Sequence, residues 1–400
     1  MKKIILSMMV ICLALSFAQA SEPNVWGKNK IKQIKSEIKR QSSEYMPAYQ
    51  ALRAFCDEEI TKPGYSVMDK KMTPPSGNKH DYVSMGRYWW PDSTKRDGLP
   101  YIRRDGHSNP ELKLLDRERL GSMAEAVERL SLMYYFSNEE KYARKAVELL
   151  RIWFLNEDTK MNPDMKFAQF VPGHNQNKGR AEGLLDTYSM VAMLSGVSYL
   201  KASEALTKED LAGLKEWFGN YLDWMLTSEQ GIAEGNTVNN HAVAYDVQVV
   251  AFAQFVGRDD VARKVIGEFL SRRIFTQVKE DGSQPKELAR QTGFGYSVYN
   301  INHMLDMCAL AGKGGKRMYR QASVGKNSIQ GSIEYMSQYL GKPQSAFPYQ
   351  QIKEWDGVQN SLAWILQRST YFQPNTEYKQ AFRRYQTGKD SDYQRLIYGY

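Results

Sequence analysis

Two short segments near the middle of the chain hold the residues that are best suited to chemistry. The first is Asn239-Asn240-His241, and the second covers residues 281–290 and ends in Arg290, with Tyr296 shortly after it. An amide, an imidazole, a guanidinium and a phenol together suit proton abstraction next to a sugar carboxylate, followed by expulsion of a 4-linked sugar. No metal-ligand motif or paired-carboxylate motif in the sequence competes with this interpretation.

Removal of the C5 proton of a uronic acid builds an enolate-like dianion, so the carboxylate must be neutralised, C5 needs a base, and O4 needs an acid. Asn240 can donate its amide to the carboxylate, and His241 can donate a hydrogen bond or accept a proton. Arg290 can hold the carboxylate through its planar fork. Tyr296 can act as a phenolate, because nearby positive charge should lower its pKa. Residues 235–240 read as a loop before a helix, whose N-terminus favours an anion.

Candidates for sugar binding lie in three further places. The turn that follows Gly173 combines amides with a histidine and an arginine, which suits recognition of hydroxyl and carboxylate groups. Aromatic rings near residue 89 can stack on sugar faces, and two adjacent arginines can bind acidic sugars. These candidates are His174, Asn175, Gln176, Arg180, Tyr88, Trp89, Trp90, Arg103 and Arg104. Each also has a structural interpretation, as a polar turn, a packed aromatic ring or a solvated charge.

The sequence indicates neither a metal nor an organic cofactor. Its five histidines show no H-E-x-x-H or H-x-x-E-H spacing. The patterns G-x-S-x-G, Walker A and G-x-G-x-x-G do not occur in a suitable context. Catalysis is therefore expected to depend on protein side chains alone.

The first twenty residues have the pattern of a secretory signal peptide. Lys2-Lys3 precedes the apolar residues 4–17, and Ala18-Gln19-Ala20 forms a cleavage site before Ser21. The apolar run is too short for a confident membrane-spanning helix. We therefore expect residues 1–20 to be removed, and residues 21–400 to form one catalytic domain in the periplasm or outside the cell, without membrane insertion.

The net charge of +9, to which Lys2 and Lys3 contribute two, favours an acidic partner. The basic residues are dispersed, so an exported chain of this kind is expected to bind an acidic polysaccharide and not nucleic acid. Cys56 and Cys308 are expected to be unpaired core thiols, although export would permit a disulfide. The sequence leaves the oligomeric state open, with a slight preference for a monomer.

Helical periodicity dominates the chain after about residue 115. Helices are predicted over about residues 120–134, 140–154, 184–200, 207–226, 242–256, 260–275, 296–311, 329–340 and 357–369. The segment from Thr207 to Asp210 resembles a capping box. Successive pairs read as hairpins, which predicts an all-α array, open or closed into a toroid. Residues 60–115 are rich in proline, glycine and aromatic residues, and predict a long loop that either faces a ligand or packs on the surface.

At these positions the chain resembles the alginate lyase superfamily. Residues 239–248 (NNHAVAYDVQ) are similar to its N-N-H-G-x-W-Y-D-x-Q segment, and residues 281–290 (DGSQPKELAR) to its D-G-S-x-P-x-E-x-x-R segment. Residues 88–92 (YWWPD) and 98–111 resemble its upstream Y-W-W-P-[DN] and G-L-P-Y-[IV]-R-x-D-G…N-P-E segments. Three segments in the right order, over roughly residues 80–300, make the match specific.

This resemblance implies an incomplete α/α toroid of about six or seven helical hairpins, and a metal-independent polysaccharide lyase of the alginate or glucuronan type. It places Asn240 and His241 around the uronate carboxylate, with Arg290 as the arginine. It makes Tyr296 both the base and the acid of the β-elimination.

Three positions qualify the resemblance. Ala244 stands where the family usually has tryptophan, so a stacking or packing surface is expected to be lost there. Tyr245 lies in the same segment and is a further candidate for substrate binding. Tyr299 is another, and it also rivals Tyr296 as the catalytic tyrosine, because the arginine-to-tyrosine spacing varies across the group.

The stereochemistry of the substrate narrows the choice of polymer. β-D-Mannuronate and β-D-glucuronate carry H5 and O4 on the same side, so one tyrosine can serve as base and then as acid. In α-L-guluronate the two are opposed, and a second group such as His241 would be needed. Poly-mannuronate, as found in alginate, and glucuronan are therefore the expected substrates.

Two alternatives remain open from the sequence. A hydrolase of acidic or unsaturated oligosaccharides would need a pair of carboxylates, and those available are Glu182, Asp186, Glu234 and Glu287. A non-catalytic periplasmic glycan-binding protein would keep the aromatic residues and arginines but would not need Tyr296.

Overall fold

Helices form most of the part of the chain described by the computed structural model, which is residues 22–386 and 388–399. The predicted signal peptide, residues 1–20, lies outside these residues. Within them, no helix has the length and apolar character needed to cross a lipid bilayer.

Seventeen α-helices and four short strands are found in the described residues. The helices are α1 Lys28–Lys39, α2 Met46–Glu59, α3 Asp116–Ser137, α4 Glu140–Leu150, α5 Ser189–Leu200, α6 Lys208–Thr227, α7 Glu229–Gly235, α8 Asn240–Val256, α9 Asp259–Phe269, α10 Phe275–Gln277, α11 Pro285–Leu288, α12 Gly293–Leu310, α13 Gly315–Arg320, α14 Ile329–Ser337, α15 Trp355–Ser369, α16 Thr376–Tyr385 and α17 Arg395–Tyr398. The strands are β1 Val83–Met85, β2 Trp89–Trp90, β3 Ile102–Arg103 and β4 Phe167–Phe170.

An inner series of helices and an outer series make up the α/α toroid. Helices α3, α5, α8, α12 and α15 contact one another in succession, and α4, α9, α14 and α16 pack against α3, α8, α12 and α15 respectively. Helix α8 is buried along almost its whole length, whereas α16 buries little more than Phe382. This is the burial expected of central and peripheral helices, and the predicted all-α toroid is confirmed.

Local sequence signals explain several helix boundaries. The predicted capping box is present, because Thr207 Oγ1 accepts from the Asp210 N–H while Asp210 accepts from the Thr207 N–H. The helix predicted from residue 184 begins later, since Ala181–Thr187 forms 3-10 turns before α5. The predicted loop at 235–240 is shorter than expected, because α7 ends at Gly235 and α8 starts at Asn240.

The segment from residue 60 to residue 115 is ordered and packed, although it contains little regular structure. Strand β1 pairs in parallel with β4, and β2 pairs antiparallel with β3, so that Trp89 lies opposite Arg103. Beneath these strands lies a small apolar cluster made of Val83, Met85, Leu112, Leu115 and Phe170. The segment therefore forms a wall on the toroid with a core of its own.

The main hydrophobic core draws side chains from Val25 through to Ile397. Cys56 and Cys308 are both buried and unpaired, which confirms the expected core thiols. Burial raises the pKa of both thiols, so neither is a reactive thiolate at neutral pH.

Candidate active site

A cavity of about 990 Å³ is lined on one side by residues between 87 and 117, and on another by the first turns of α8 and α12. Nine of the side chains proposed from the sequence line it: Tyr88, Trp89, Arg103, Arg180, Asn240, His241, Arg290, Tyr296 and Tyr299. The chain thus brings its three characteristic segments to one place, although they are separated by up to two hundred residues in the sequence.

Asn240 lies in the first turn of α8 and is held by Glu287 of α11. Its backbone N–H donates to Glu287 Oε1 and its Nδ2–H donates to Glu287 Oε2, each over 2.7 Å. Asn239 occupies the cap position but makes no side-chain capping hydrogen bond, so Glu287 serves as the anionic cap of α8. Burial raises the pKa of Glu287 despite these two hydrogen bonds. The contact joins the two sequence segments, residues 239–248 and 281–290.

His241 is the second residue of α8, and its ring is fixed by Glu234 of α7. The two are 2.6 Å apart, from His241 Nδ1 to Glu234 Oε1. Nε2 is therefore the ring nitrogen left to interact with a ligand in the cavity. Burial acts to lower the pKa of His241, but the hydrogen bond and charge of Glu234 outweigh it, so the pKa lies above its ordinary value.

Arg290 and Tyr296 form a stacked pair on the same wall. The Arg290 guanidinium lies 4.0 Å from the centre of the Tyr296 ring, and its Nη2–H donates to the Tyr296 hydroxyl over 3.0 Å. The same nitrogen is 3.0 Å from Asp105 Oδ1. Tyr88 contributes a second hydroxyl, 3.0 Å from that of Tyr296. One guanidinium, two phenols and the Asp105 carboxylate thus form a single hydrogen-bonded group.

Tyr296 differs from expectation in its ionisation. Burial and the hydrogen bond with Tyr88, which holds the protonated form of Tyr296, raise its pKa, and the opposing charge of Arg290 does not cancel them. The expectation of a lowered pKa is therefore wrong for the protein without substrate. The phenol therefore holds its proton at neutral pH.

Comparisons with known proteins agree with this geometry. The model of the family described as alginate lyase matches residues 66–346. The chain belongs to the alginate lyase family. It is 44% identical to an alginate lyase of solved structure from Bacteroides ovatus, over 95% of this chain and 99% of that chain, with a TM-score of 0.90. A comparison with curated protein sequences gave no match.

More distant structures share the fold. Alginate lyase A1-III from Sphingomonas species A1 is 14% identical, with a TM-score of 0.57 over 90% of this chain and 92% of that chain. A histidine-to-alanine variant of alginate lyase A1-III, complexed with tetrasaccharide, gives a TM-score of 0.59 over 90% and 91% of the two chains. The family match and the close relative together show that this protein is a polysaccharide lyase.

Trp89 and the residues around it form the opposite wall of the lyase cavity. His174 does not line the cavity; its ring meets that of Trp89 edge-on at 5.1 Å, and its Nε2–H donates to the Tyr101 carbonyl. The Arg180 guanidinium lies 5.9 Å from the Trp89 ring centre. His174 and Arg180 thus both contact Trp89, and they help to fix the orientation of its ring.

Five other binding candidates of the lyase lie outside the cavity lining. Asn175 and Gln176 occupy an exposed turn with left-handed backbone. Trp90 donates to the His107 carbonyl, and Arg104 lies over the Trp90 ring. Tyr245 is buried and donates to the Met225 carbonyl. Their described contacts are structural.

Ala244, which replaces the family's tryptophan, is fully buried in α8. The position therefore belongs to the helix packing and not to a sugar-stacking surface. Tyr299 does line the lyase cavity and is 39% exposed. Its ring packs edge-on against His303 at 4.1 Å. Within the part of the chain that the structure describes, Arg290 contacts the hydroxyl and ring of Tyr296 and makes no such contact with Tyr299. The geometry therefore favours Tyr296 over Tyr299 as the tyrosine beside the arginine.

The sequence did not predict the roles of the carboxylates around the lyase cavity, which it offered only as candidates for a hydrolase. Glu234 and Glu287 hold the histidine and the asparagine, as described above. Asp186 accepts from Tyr82 and Ser84 and pairs with Arg117, and Glu182 pairs with Arg180. Each of the four carboxylates considered for a hydrolase thus has a structural partner. Only Glu287 had a sequence signal, since it lies one helical turn before Arg290.

Positive side chains that sequence reasoning did not select also line the lyase cavity. They are Arg87, Arg117 and Lys353. Among the described residues, no group of three or more His, Cys, Asp or Glu side chains is arranged to hold a metal ion. The donors that the cavity offers to a carboxylate are therefore guanidinium, ammonium, amide and imidazole groups.

Proposed function

We propose that this lyase cleaves 1,4-linked polyuronates, poly-mannuronate of alginate or glucuronan, by β-elimination. The observation that carries the proposal is the Tyr296 hydroxyl, 3.0 Å from Arg290 Nη2, in the same cavity as Asn240 and His241. A base beside a cation, with an amide and an imidazole across the cavity, matches what proton abstraction at C5 requires.

The reaction is proposed to begin with neutralisation of the uronate carboxylate by Asn240, His241 and Arg290. The Tyr296 oxygen, as phenolate, then takes the C5 proton, and the C–H electron pair enters the carboxylate as an enolate. That pair returns to form the C4–C5 double bond as the C4–O4 bond breaks. The proton held by Tyr296 passes to the departing O4, which restores the phenolate.

The raised pKa of Tyr296 means that the proposed phenolate needs stabilisation by a neighbouring positive charge. A phenolate must form at a half-buried position, and Arg290 is the cation in contact with its oxygen and ring. Before the first turnover the phenol gives its proton to solvent water, and the ion pair with Arg290 then opposes the cost of burying the charge. The proposed base thus depends on Arg290 for its stabilisation.

Stereochemistry decides the proposed substrate class. A single tyrosine that abstracts H5 and protonates O4 works when both lie on one face of the ring, as in mannuronate and glucuronate. The neighbouring Trp89 would provide a platform for a sugar ring, and the arginines of the cavity would hold further carboxylates. Relatives called alginate lyases support the acidic substrate.

Parallel assays of purified poly-mannuronate, glucuronan and poly-guluronate test the proposal through the ultraviolet absorbance of the unsaturated product. Measurable lysis of one of the first two is expected, with weak or no lysis of poly-guluronate. Added NaCl should lower the rate, because it screens the attraction between the cationic cavity and the polyanion. A clear preference for poly-guluronate would transfer the role of base to His241, and reducing ends without unsaturation would indicate hydrolysis.

Export to the periplasm, or secretion, is proposed as well. It is supported by the signal-like pattern of residues 1–20, which precedes the small residue Ser21. N-terminal sequencing of the protein recovered from a periplasmic fraction should begin at or near Ser21. Recovery of the chain with Met1 intact, in the cytosolic fraction only, would contradict it.

A further inference from the structure

The best-buried ionisable contact in the lyase cavity is the one between Glu234 and His241. Glu234 is 1% exposed, and its Oε1 is 2.6 Å from His241 Nδ1. Its second oxygen, Oε2, is buried without a hydrogen-bond partner in the part of the chain that the structure describes. A buried carboxylate is costly unless it is paired, so its contact with the catalytic histidine calls for a function.

The geometry around this pair comes from two helices and a short loop. Glu234 lies near the end of α7 and His241 at the start of α8, so only residues 236–239 separate the two elements. The Glu234 side chain, on α7, therefore holds His241 in the first turn of α8. Glu234 lies at the edge of the cavity lining but is 1% exposed, so a change there acts mainly through the imidazole that it holds.

Charged or titratable groups from three other parts of the chain face the pair. Glu182, before α5, and Glu287, on α11, add negative charge near His241. Arg180 acts on Glu234 from the same segment as Glu182, and His303 faces His241 from α12. Burial raises the pKa of Glu234, and its contact with His241 partly opposes that rise. Burial acts to lower the pKa of His241, but Glu234, with the other two glutamates, brings it above its ordinary value.

We propose that Glu234 is a positioning residue of the lyase, which holds His241 through Nδ1 and keeps it a charged donor whose Nε2–H binds the uronate carboxylate. This inference rests on the proposed β-elimination. A charged donor forms a shorter and stronger hydrogen bond to a carboxylate than a neutral one does. An imidazolium cannot also accept the C5 proton, so abstraction is left to Tyr296.

The inference deepens the proposed substrate preference. Guluronate needs a base on the face opposite to its leaving oxygen, and a protonated His241 cannot provide one. Glu234 would therefore restrict the lyase to substrates that Tyr296 can process alone. A variant in which His241 is neutral at assay pH should lose activity on poly-mannuronate while any activity on poly-guluronate is retained or gained.

The substitution Glu234→Gln tests this with little change of shape, since the amide oxygen can still accept from Nδ1. In the wild-type lyase, NMR titration should place the His241 pKa above its ordinary value of 6.5. In the variant it should fall by roughly one pH unit or more, because burial remains and the charge is lost. Because the proposal needs a protonated His241, kcat should fall as pH rises through the His241 pKa. In the variant this fall in kcat should occur at a pH that is lower by the same amount.

Steady-state kinetics on poly-mannuronate add a second readout. A loss of roughly tenfold to a hundredfold in kcat is expected, with a much smaller change in KM. The matched control is Glu182→Gln, which removes a charge near the same imidazole, but from a carboxylate that bonds Arg180. Its effect on the His241 titration should be clearly smaller.

The two proposals fail in distinguishable ways. If wild-type protein forms no unsaturated product from any of the three polymers, the proposed reaction is wrong. If lysis is normal but Glu234→Gln leaves the His241 titration and the kcat profile unchanged, only the positioning role is wrong. Should the variant not fold, a wild-type His241 pKa at or below the ordinary value would overturn the inference by itself.

Discussion

The lyase cavity has two walls that are built in different ways. The helix wall consists of Asn240, His241, Arg290 and Tyr296, which lie in or beside the first turns of α8 and α12. The loop wall consists of Trp89 and Arg103, on the short ribbon of β2 and β3, and of Tyr88 just before β2, whose hydroxyl reaches Tyr296 of the helix wall. The helix wall is anchored by buried carboxylates, whereas both residues of β3 are exposed.

This contrast indicates that the helix wall orients the reacting groups, whereas the loop wall can adjust to the bound polymer. Groups that must meet a transition state within a fraction of an ångström belong on elements locked by packing and hydrogen bonds. Groups that hold a long polymer tolerate more movement and are commonly found on loops. Substitutions on the helix wall should therefore lower kcat, and substitutions on the loop wall should mainly raise KM.

The largest effect is expected from Tyr296→Phe on the helix wall. Loss of both base and acid should lower kcat by about 10⁴-fold, while substrate binding is nearly unchanged because the ring still packs against Arg290. Turnover on poly-mannuronate and binding measured by calorimetry check the two parts. Tyr299→Phe is the control; a dead control beside an active Tyr296→Phe would reassign the base.

Arg290→Ala should follow, with a loss of about 10²-fold or more in kcat, because the cation that stabilises the phenolate and the enolate is removed. Arg290→Lys keeps the charge without the planar fork and should recover only part of the rate. A KM effect alone in both variants would show that Arg290 binds substrate without acting on the transition state.

On the loop wall, Trp89→Ala should have a smaller and different effect. Stacked aromatic contacts contribute about 1 kcal/mol beyond the area they bury, so KM should rise roughly fivefold to tenfold while kcat falls little. Trp89→Phe should restore most of the affinity. If Trp89→Ala instead lowered kcat as strongly as Arg290→Ala, the division between the two walls would be incorrect.

The smallest effect on activity is expected at His303, below the helix wall. Both its ring nitrogens are buried without a partner among the described residues, and burial lowers its pKa to about 3. The unfolded chain binds this proton below about pH 6.5, so the stability of the native lyase should fall as pH drops from 6.5 towards 3. The non-titrating variant His303→Phe should lose less stability in that window, as thermal melts at pH 7 and pH 4.5 would show.

The sequence predicted the cavity-lining residues of the helix wall, but not the carboxylate that holds His241 in place. Helical periodicity and two motif segments identified Asn240, His241, Arg290 and Tyr296, and the cavity contains all four. Glu234 carried no signal, because its role depends on a turn that brings α7 against α8. Tyr245 was selected from the same segment as His241, but the helix turns its hydroxyl towards the Met225 carbonyl.

Local sequence by itself determined which residues form helices, where Thr207 caps one, and which side chains could act on a uronate. Those properties depend on periodicity and residue type, which are read along the chain. Only the tertiary structure decided that Glu287 caps α8, that Glu234 holds His241, and that the pKa of Tyr296 is raised and not lowered. Burial and contacts between distant segments set these properties, and neither is visible in a segment considered alone.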